Sequence, residues 1–160
     1  MELTTELSLA NGQGIANQAA SVANEVSGKP YIWGGKTSDG FDCSGFVAYV
    51  LAGLYPNMSA RFSTNVAGYM SNDLFDDIDE AERAPGDIII FPATGGSPNH
   101  IGFVYDAKHW IGSQSSTGVA KVKFTNGYWG SRPRKYRRLR PLSIAPLSMG
   151  RGTRTLTRLA

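Results

Sequence analysis

From residue 85 to residue 142 the chain consists of short β-favouring runs separated by tight turns, and this half of the sequence limits the possible folds most. GDIIIFP (86–92) is a β-branched run bounded by Gly and Pro, the pattern of a buried strand. ATGGSPN turns the chain into HIGFVYD (100–106), DAK makes a tight turn, and HWIGSQ (109–114) follows as a third strand. VAKVKF (119–124) and the segment around KYRRLRPL (135–142) bring the expected sheet to about five strands. The first half reads differently. Residues 14–27 place Ile15, Ala19, Val22, Ala23 and Val26 near helical spacing, and Gly28, Lys29 and Pro30 end the helix. SGFVAYVLAGL (44–54), apolar nearly all round, predicts a mostly buried helix stopped by Pro56 and Asn57. Residues 63–78 offer a further short helix, from Ser63 through Met70. Helices first and hairpin-linked strands after predict an α+β fold, N-terminal helices packed on an antiparallel sheet.

A chain of 160 residues can bury a core without covalent staples, and its single cysteine excludes an intramolecular disulfide. The pattern decays after Ser143, so residues 1–145 are expected to form one domain and 146–160 a basic, flexible tail. Charge is strongly divided. Residues 1–120 carry five basic side chains against all thirteen acidic ones, a net of −8; residues 121–160 carry eleven basic and no acidic ones, a net of +11. Such a basic segment either contacts a polyanion or pairs with the acidic run DDIDEAE at 76–82. MELTTELSLANGQG has neither a basic n-region nor an apolar h-region, so no signal peptide is expected; no window reaches the length of a membrane span.

The cysteine sits in YIWGGKTSDGFDCSGFVAYVL (31–51), where a glycine-rich approach runs into the apolar helix. Asp42 is suited to cap that helix, which puts Cys43 in its first turn, where unpaired N–H groups and the helix dipole favour negative charge. A thiol there is either a small buried hydrophobe or a nucleophile. A nucleophile needs a base, and the chain has two histidines, His100 and His109. His100 opens a strand after a turn, so the sheet would hold its ring against a helix-borne thiol, a layout of cysteine nucleophile catalysis. His109 reads as exposed. One Cys and two His at these spacings match no zinc pattern, and no metal or other cofactor is expected.

Five motifs in this order, PYIWGG (30–35), FDCSGFV (41–47), ARFST (60–64), APGDIIIF (84–91) and NHIGFVYD (99–106), resemble the NlpC/P60 family over about residues 30–125. The resemblance implies a papain-like fold and hydrolysis of peptidoglycan stem-peptide amide bonds, most often between D-glutamate and diaminopimelate. It makes Cys43 the nucleophile and His100 the base, places Tyr31 beside the nucleophile, and has Asp42 and Ser44 line the site and read the free amine of the stem peptide. Arg61 matches a family position that either binds a stem-peptide carboxylate or bridges to an acidic neighbour.

The family usually supplies a third polar residue, commonly histidine, about a dozen positions after the base. Here the residue facing His100 across the hairpin is Gly112, Ser113 or Gln114, with Gln114 slightly favoured because its carbonyl can accept from the imidazole; a Cys–His dyad without a third residue is the alternative. Tyr128 and Trp129 are expected to pack the sheet edge. The partner expected is peptidoglycan rather than nucleic acid. Cytoplasmic synthesis followed by delivery to the periplasm or wall suggests an antibacterial effector of the type VI secretion kind, with a cognate immunity protein. A phage or housekeeping wall lysin, a papain-like acyltransferase and a non-catalytic wall-binding module are the alternatives.

Overall fold

A computed structural model of the chain describes residues 2–141 apart from 28, 30, 33, 38 and 39; the expected tail, 146–160, lies outside the described residues. The chain begins with α1 (Glu2–Glu25), well upstream of the helix start expected at residue 14. Ile15, Ala16, Ala19 and Val22 form its buried stripe, and Val26 continues it just beyond the helix end. A two-residue hairpin, β1 (Lys36–Thr37) and β2 (Gly40–Phe41), leads into α2 (Cys43–Leu54). Phe46, Val47, Val50 and Leu51 of α2 are fully buried, as its apolar run requires. A 3₁₀ turn, Pro56–Met58, then leads from α2 into two short helices, α3 (Ser59–Phe62) and α4 (Val66–Ser71).

Within 63–78 the short helix expected from Ser63 through Met70 is α4, and the rest of that stretch, past Asn72, is a strand, β3 (Phe75–Ile78). The rest of the sheet is β4 (Ile88–Phe91), β5 (His100–Val104), β6 (His109–Gln114), β7 (Gly118–Lys123) and β8 (Lys135–Leu139). These make six strands, not about five, in the order β3-β8-β4-β5-β6-β7, with each neighbouring pair antiparallel. The added strand is the outer neighbour of β8: Asp77 pairs with Arg137 and Asp76 with Arg138 in the backbone register.

Strand alternation sorts the core into two layers. Ile88, Ile90, Ile101, Phe103 and Ile111 face the helices and join Phe46, Val50 and Leu51. Ile89, Phe91, Val104, Trp110 and Tyr136 form a second cluster on the other face. It is covered by Phe124 and by Trp129, from the crossover between β7 and β8, with a 3₁₀ turn at Trp129–Ser131. β4 is therefore buried on both faces, which accounts for its unbroken β-branched sequence.

The acidic run and the basic strand meet at the sheet edge. Arg137 pairs with Asp77, Arg140 with Asp76, and Arg138 with the buried Asp87. Arg137 also donates to the carbonyls of Tyr69, Asn72 and Phe75, binding the α4–β3 connection to β8. Three of the eight basic residues in the described part of the basic segment are thus neutralised within the fold. Among the described residues no helix is long and apolar enough to cross a membrane.

Candidate active site

The loop before α2 is held open by backbone geometry. Asp42, extended at φ −83°, ψ −178°, caps the helix: its Oδ1 accepts from the Gly45 N–H at 2.7 Å and its Oδ2 from the Gly34 N–H at 3.1 Å. Gly45 has no room for a side chain, because a Cβ there would lie 2.0 Å from the Gly35 carbonyl oxygen. The glycines of GGKTSDGFDCSG therefore let two stretches of backbone touch and set Cys43 at the first position of the helix.

Cys43 is buried, with 9% of its surface exposed. Burial pushes its thiol up to about 11, and the Asp42 charge adds to this; the backbone N–H groups of Ile101, Ser44 and Cys43 itself act in the opposite direction. The Ile101 contact puts the sulfur beside the residue that follows His100. His100 is also buried, and burial lowers its imidazole to about 4; the Gln114 hydrogen bond opposes this shift and the Arg132 charge reinforces it. Thiol and imidazole are thus both neutral at pH 7.

The β5–β6 register, Phe103 opposite Ile111 and Val104 opposite Trp110, continues to bring Gln114 across from His100. Gln114 Oε1 lies 3.2 Å from His100 Nε2. The Gln114 Nε2 amide reaches Thr117 Oγ1 at 3.3 Å and the Ala120 carbonyl at 3.5 Å. A carbonyl only accepts, so the Ala120 oxygen fixes the amide with its own oxygen toward the imidazole. His100 then carries its proton on Nε2 and keeps Nδ1 as a lone-pair site. Ser113, the alternative partner, faces the other way and donates to the Phe41 carbonyl at 2.8 Å. Gly112 has no side chain to offer.

Cys43 and His100 share one cleft of about 650 Å³, lined also by Tyr31, Asp42, Ser44, Asn65 and Gln114. Tyr31 is half-buried; burial raises its phenol, and the Cys43 and Asp42 charges raise it further. Arg61 is not in this cleft but exposed, paired with Asp73 along a separate groove. His109 is half-buried and bonded to Asp106 at 2.9 Å through Nδ1. No three His, Cys, Asp or Glu side chains cluster as a metal site among the described residues.

Three lining residues come from a part of the chain that was expected to pack the sheet edge or had no expected role: Tyr128, Trp129 and Arg132. Trp129 does cover the outer core cluster, but its ring also lies over His100, centroids 4.6 Å apart at 31°. No spacing in the sequence signals this, because the crossover reaches His100 only once β7 and β8 are on opposite sides of β4 and β5.

The model of the NlpC/P60 family matches residues 28–138. The chain is 34% identical over 116 residues to "Probable peptidoglycan endopeptidase LytE" of Bacillus subtilis, covering 72% of this chain and 32% of that protein. It is 34% identical over 105 residues to "Probable endopeptidase NlpC" of Escherichia coli, 64% of each chain. "Gamma-DL-glutamyl hydrolase" of B. subtilis is 32% identical over 127 residues, 76% of this chain and 29% of that one. The chain thus spans between about a third and two thirds of the length of these relatives. Among solved structures, the NlpC/p60 domain of the peptidoglycan hydrolase SagA superposes with a TM-score of 0.53 at 24% identity, covering 75% of this chain and 96% of that domain. NlpC1 from Trichomonas vaginalis does so at 0.60 and 22%, covering 82% and 44%.

Proposed function

Because the chain belongs to the NlpC/P60 family, we propose that it is a peptidoglycan hydrolase that cuts stem-peptide amide bonds with Cys43 as nucleophile and His100 as base. The observation that supports this reading is one cleft holding a helix-start thiol and a histidine whose proton is held on the nitrogen bonded to Gln114. His100 Nδ1 takes the thiol proton as sulfur attacks the scissile carbonyl. The C–N bond then breaks, the imidazolium protonates the departing amine, and a thioester remains. Water, deprotonated by the same nitrogen, cleaves the thioester and restores the thiol. Since the resting pair is neutral, proton transfer accompanies attack rather than preceding it. The Cys43 backbone N–H, at the helix start, is the donor we assign to the oxyanion.

In this reading Gln114 positions the base, while Asp42, Tyr31 and Ser44 receive the free amine of the stem peptide. The bond proposed is D-glutamate to diaminopimelate, and the place of action is the cell wall. Incubating sacculi of the diaminopimelate type with the wild type and Cys43→Ala tests this. Stem-peptide fragments released by the wild type alone are the expected outcome, and their masses name the bond. Binding without release by either protein would indicate a wall-binding module instead, and fragments transferred to an added amine would indicate an acyltransferase.

Delivery as an antibacterial effector is a narrower proposal. It requires an immunity protein seated in the cleft, and co-purification from the native operon should recover that partner; its absence would favour a phage or housekeeping lysin.

A further inference from the structure

Five of the described arginines, Arg61, Arg83, Arg137, Arg138 and Arg140, each have a carboxylate within salt-bridge distance. Among the described residues neither Arg134 nor Arg132 has one, and Arg132 is the more buried of the two, with 8% of its surface exposed. Its Nη2 donates to the carbonyls of Pro92 at 2.8 Å and Pro98 at 2.9 Å, and the guanidinium also interacts with the Tyr128 hydroxyl. Its Nε is buried without a partner. Clamping the 92–98 loop accounts for the two carbonyl bonds but does not require a charge, since a neutral amide can also donate to a carbonyl. Neutral oxygens and the rings of Phe91, Tyr128 and Trp129 surround the guanidinium, and they offset only part of the cost of burying a cation that no carboxylate among the described residues neutralises.

Its position suggests which anion. Arg132 lines the cleft that holds Cys43 and His100, and its Cζ lies 5.2 Å from the centroid of Trp129, the ring that covers His100. Among the described lining residues, Asp42 is the one acid and Arg132 the one permanent cation. A cleft with one pole of each sign matches a zwitterion carrying an amine and a carboxylate. We infer that Arg132 forms a carboxylate subsite for the acidic group of the stem peptide nearest the bond attacked by Cys43. Arg61 is already paired with Asp73 outside the cleft and does not serve this purpose. The subsite rests on the reading of the cleft as a peptidoglycan-hydrolase site.

The test uses L-Ala-γ-D-Glu-meso-diaminopimelate and versions in which one carboxylate at a time is a carboxamide. Cleavage is measured with the wild type, Arg132→Gln and Arg132→Lys, and binding with the same chains carrying Cys43→Ala. One amidation should lower wild-type kcat/KM by about 10–100-fold, as for a charge-assisted hydrogen bond to a buried partner. In Arg132→Gln that ratio should fall to about 1–3-fold, with Arg132→Lys in between. A purely structural arginine would slow all peptides equally and leave the ratio intact, which overturns the inference; so does a wild type indifferent to every amidation. If nothing is cleaved but the Cys43→Ala chain still discriminates through Arg132, the hydrolase reading fails and the subsite stands. If nothing is cleaved and no discrimination is bound, the subsite fails too.

Discussion

At the residue scale, the neutrality of Cys43 and His100 has a measurable signature. A thiol held at about 11 should be alkylated slowly by iodoacetamide at pH 7, its rate still climbing above pH 9; a rate that is high and flat between pH 5 and 8 would reveal a preformed thiolate–imidazolium pair instead. Gln114 gives a second handle. Replacing it with Ala frees the ring and removes the group that holds the proton on Nε2, so kcat should drop about 10–100-fold with KM little changed. Gln114→Glu puts a carboxylate beside an imidazole now at about 4, which favours its charged form; the acid limb of the kcat/KM profile should move to higher pH.

At the scale of elements, two contacts determine whether the site forms. Gly45→Ala forces a Cβ against the Gly35 carbonyl oxygen at 2.0 Å, so the cap must shift; a loss of about 1–3 kcal/mol in denaturant unfolding is expected, with activity falling further than stability. Arg137→Met leaves the carbonyls of Tyr69, Asn72 and Phe75 without their donor and should cost about 3 kcal/mol, with amide exchange accelerating first in β3. That strand also explains one limit of the sequence. FDDI carries two aspartates because it is an edge strand with its polar side chains outward, and its aptness becomes visible only beside the arginines of β8. β4, β5 and β6 were legible because burial on both faces imposes β-branched and aromatic residues directly. Cys43, Asp42 and His100 were legible because a helix cap and a strand start are local signals. Trp129 and Arg132 were not, because their place depends on a crossover whose path is fixed by the strand order.

For the molecule as a whole, the buried histidine links folding to acidity. The imidazole stands at about 4 when folded against 6.5 as its ordinary value, so between these the unfolded chain binds the extra proton. The stability that this neutral ring permits is complete above about pH 6.5 and is lost as pH falls toward 4. About 2 kcal/mol of that loss, relative to a His100→Gln chain, falls between pH 7 and pH 4.5 and is readable from paired unfolding curves at those two values. Ser113 and Gln114 add a mechanical consequence. Adjacent on β6, they face opposite sides, one tying down the Phe41 carbonyl just before the cap of the Cys43 helix and the other gripping His100. A single peptide unit therefore serves as the gauge block between Cys43 and His100, and inserting one residue upstream of Ser113 in that strand should abolish the proposed hydrolysis while leaving most of the core intact.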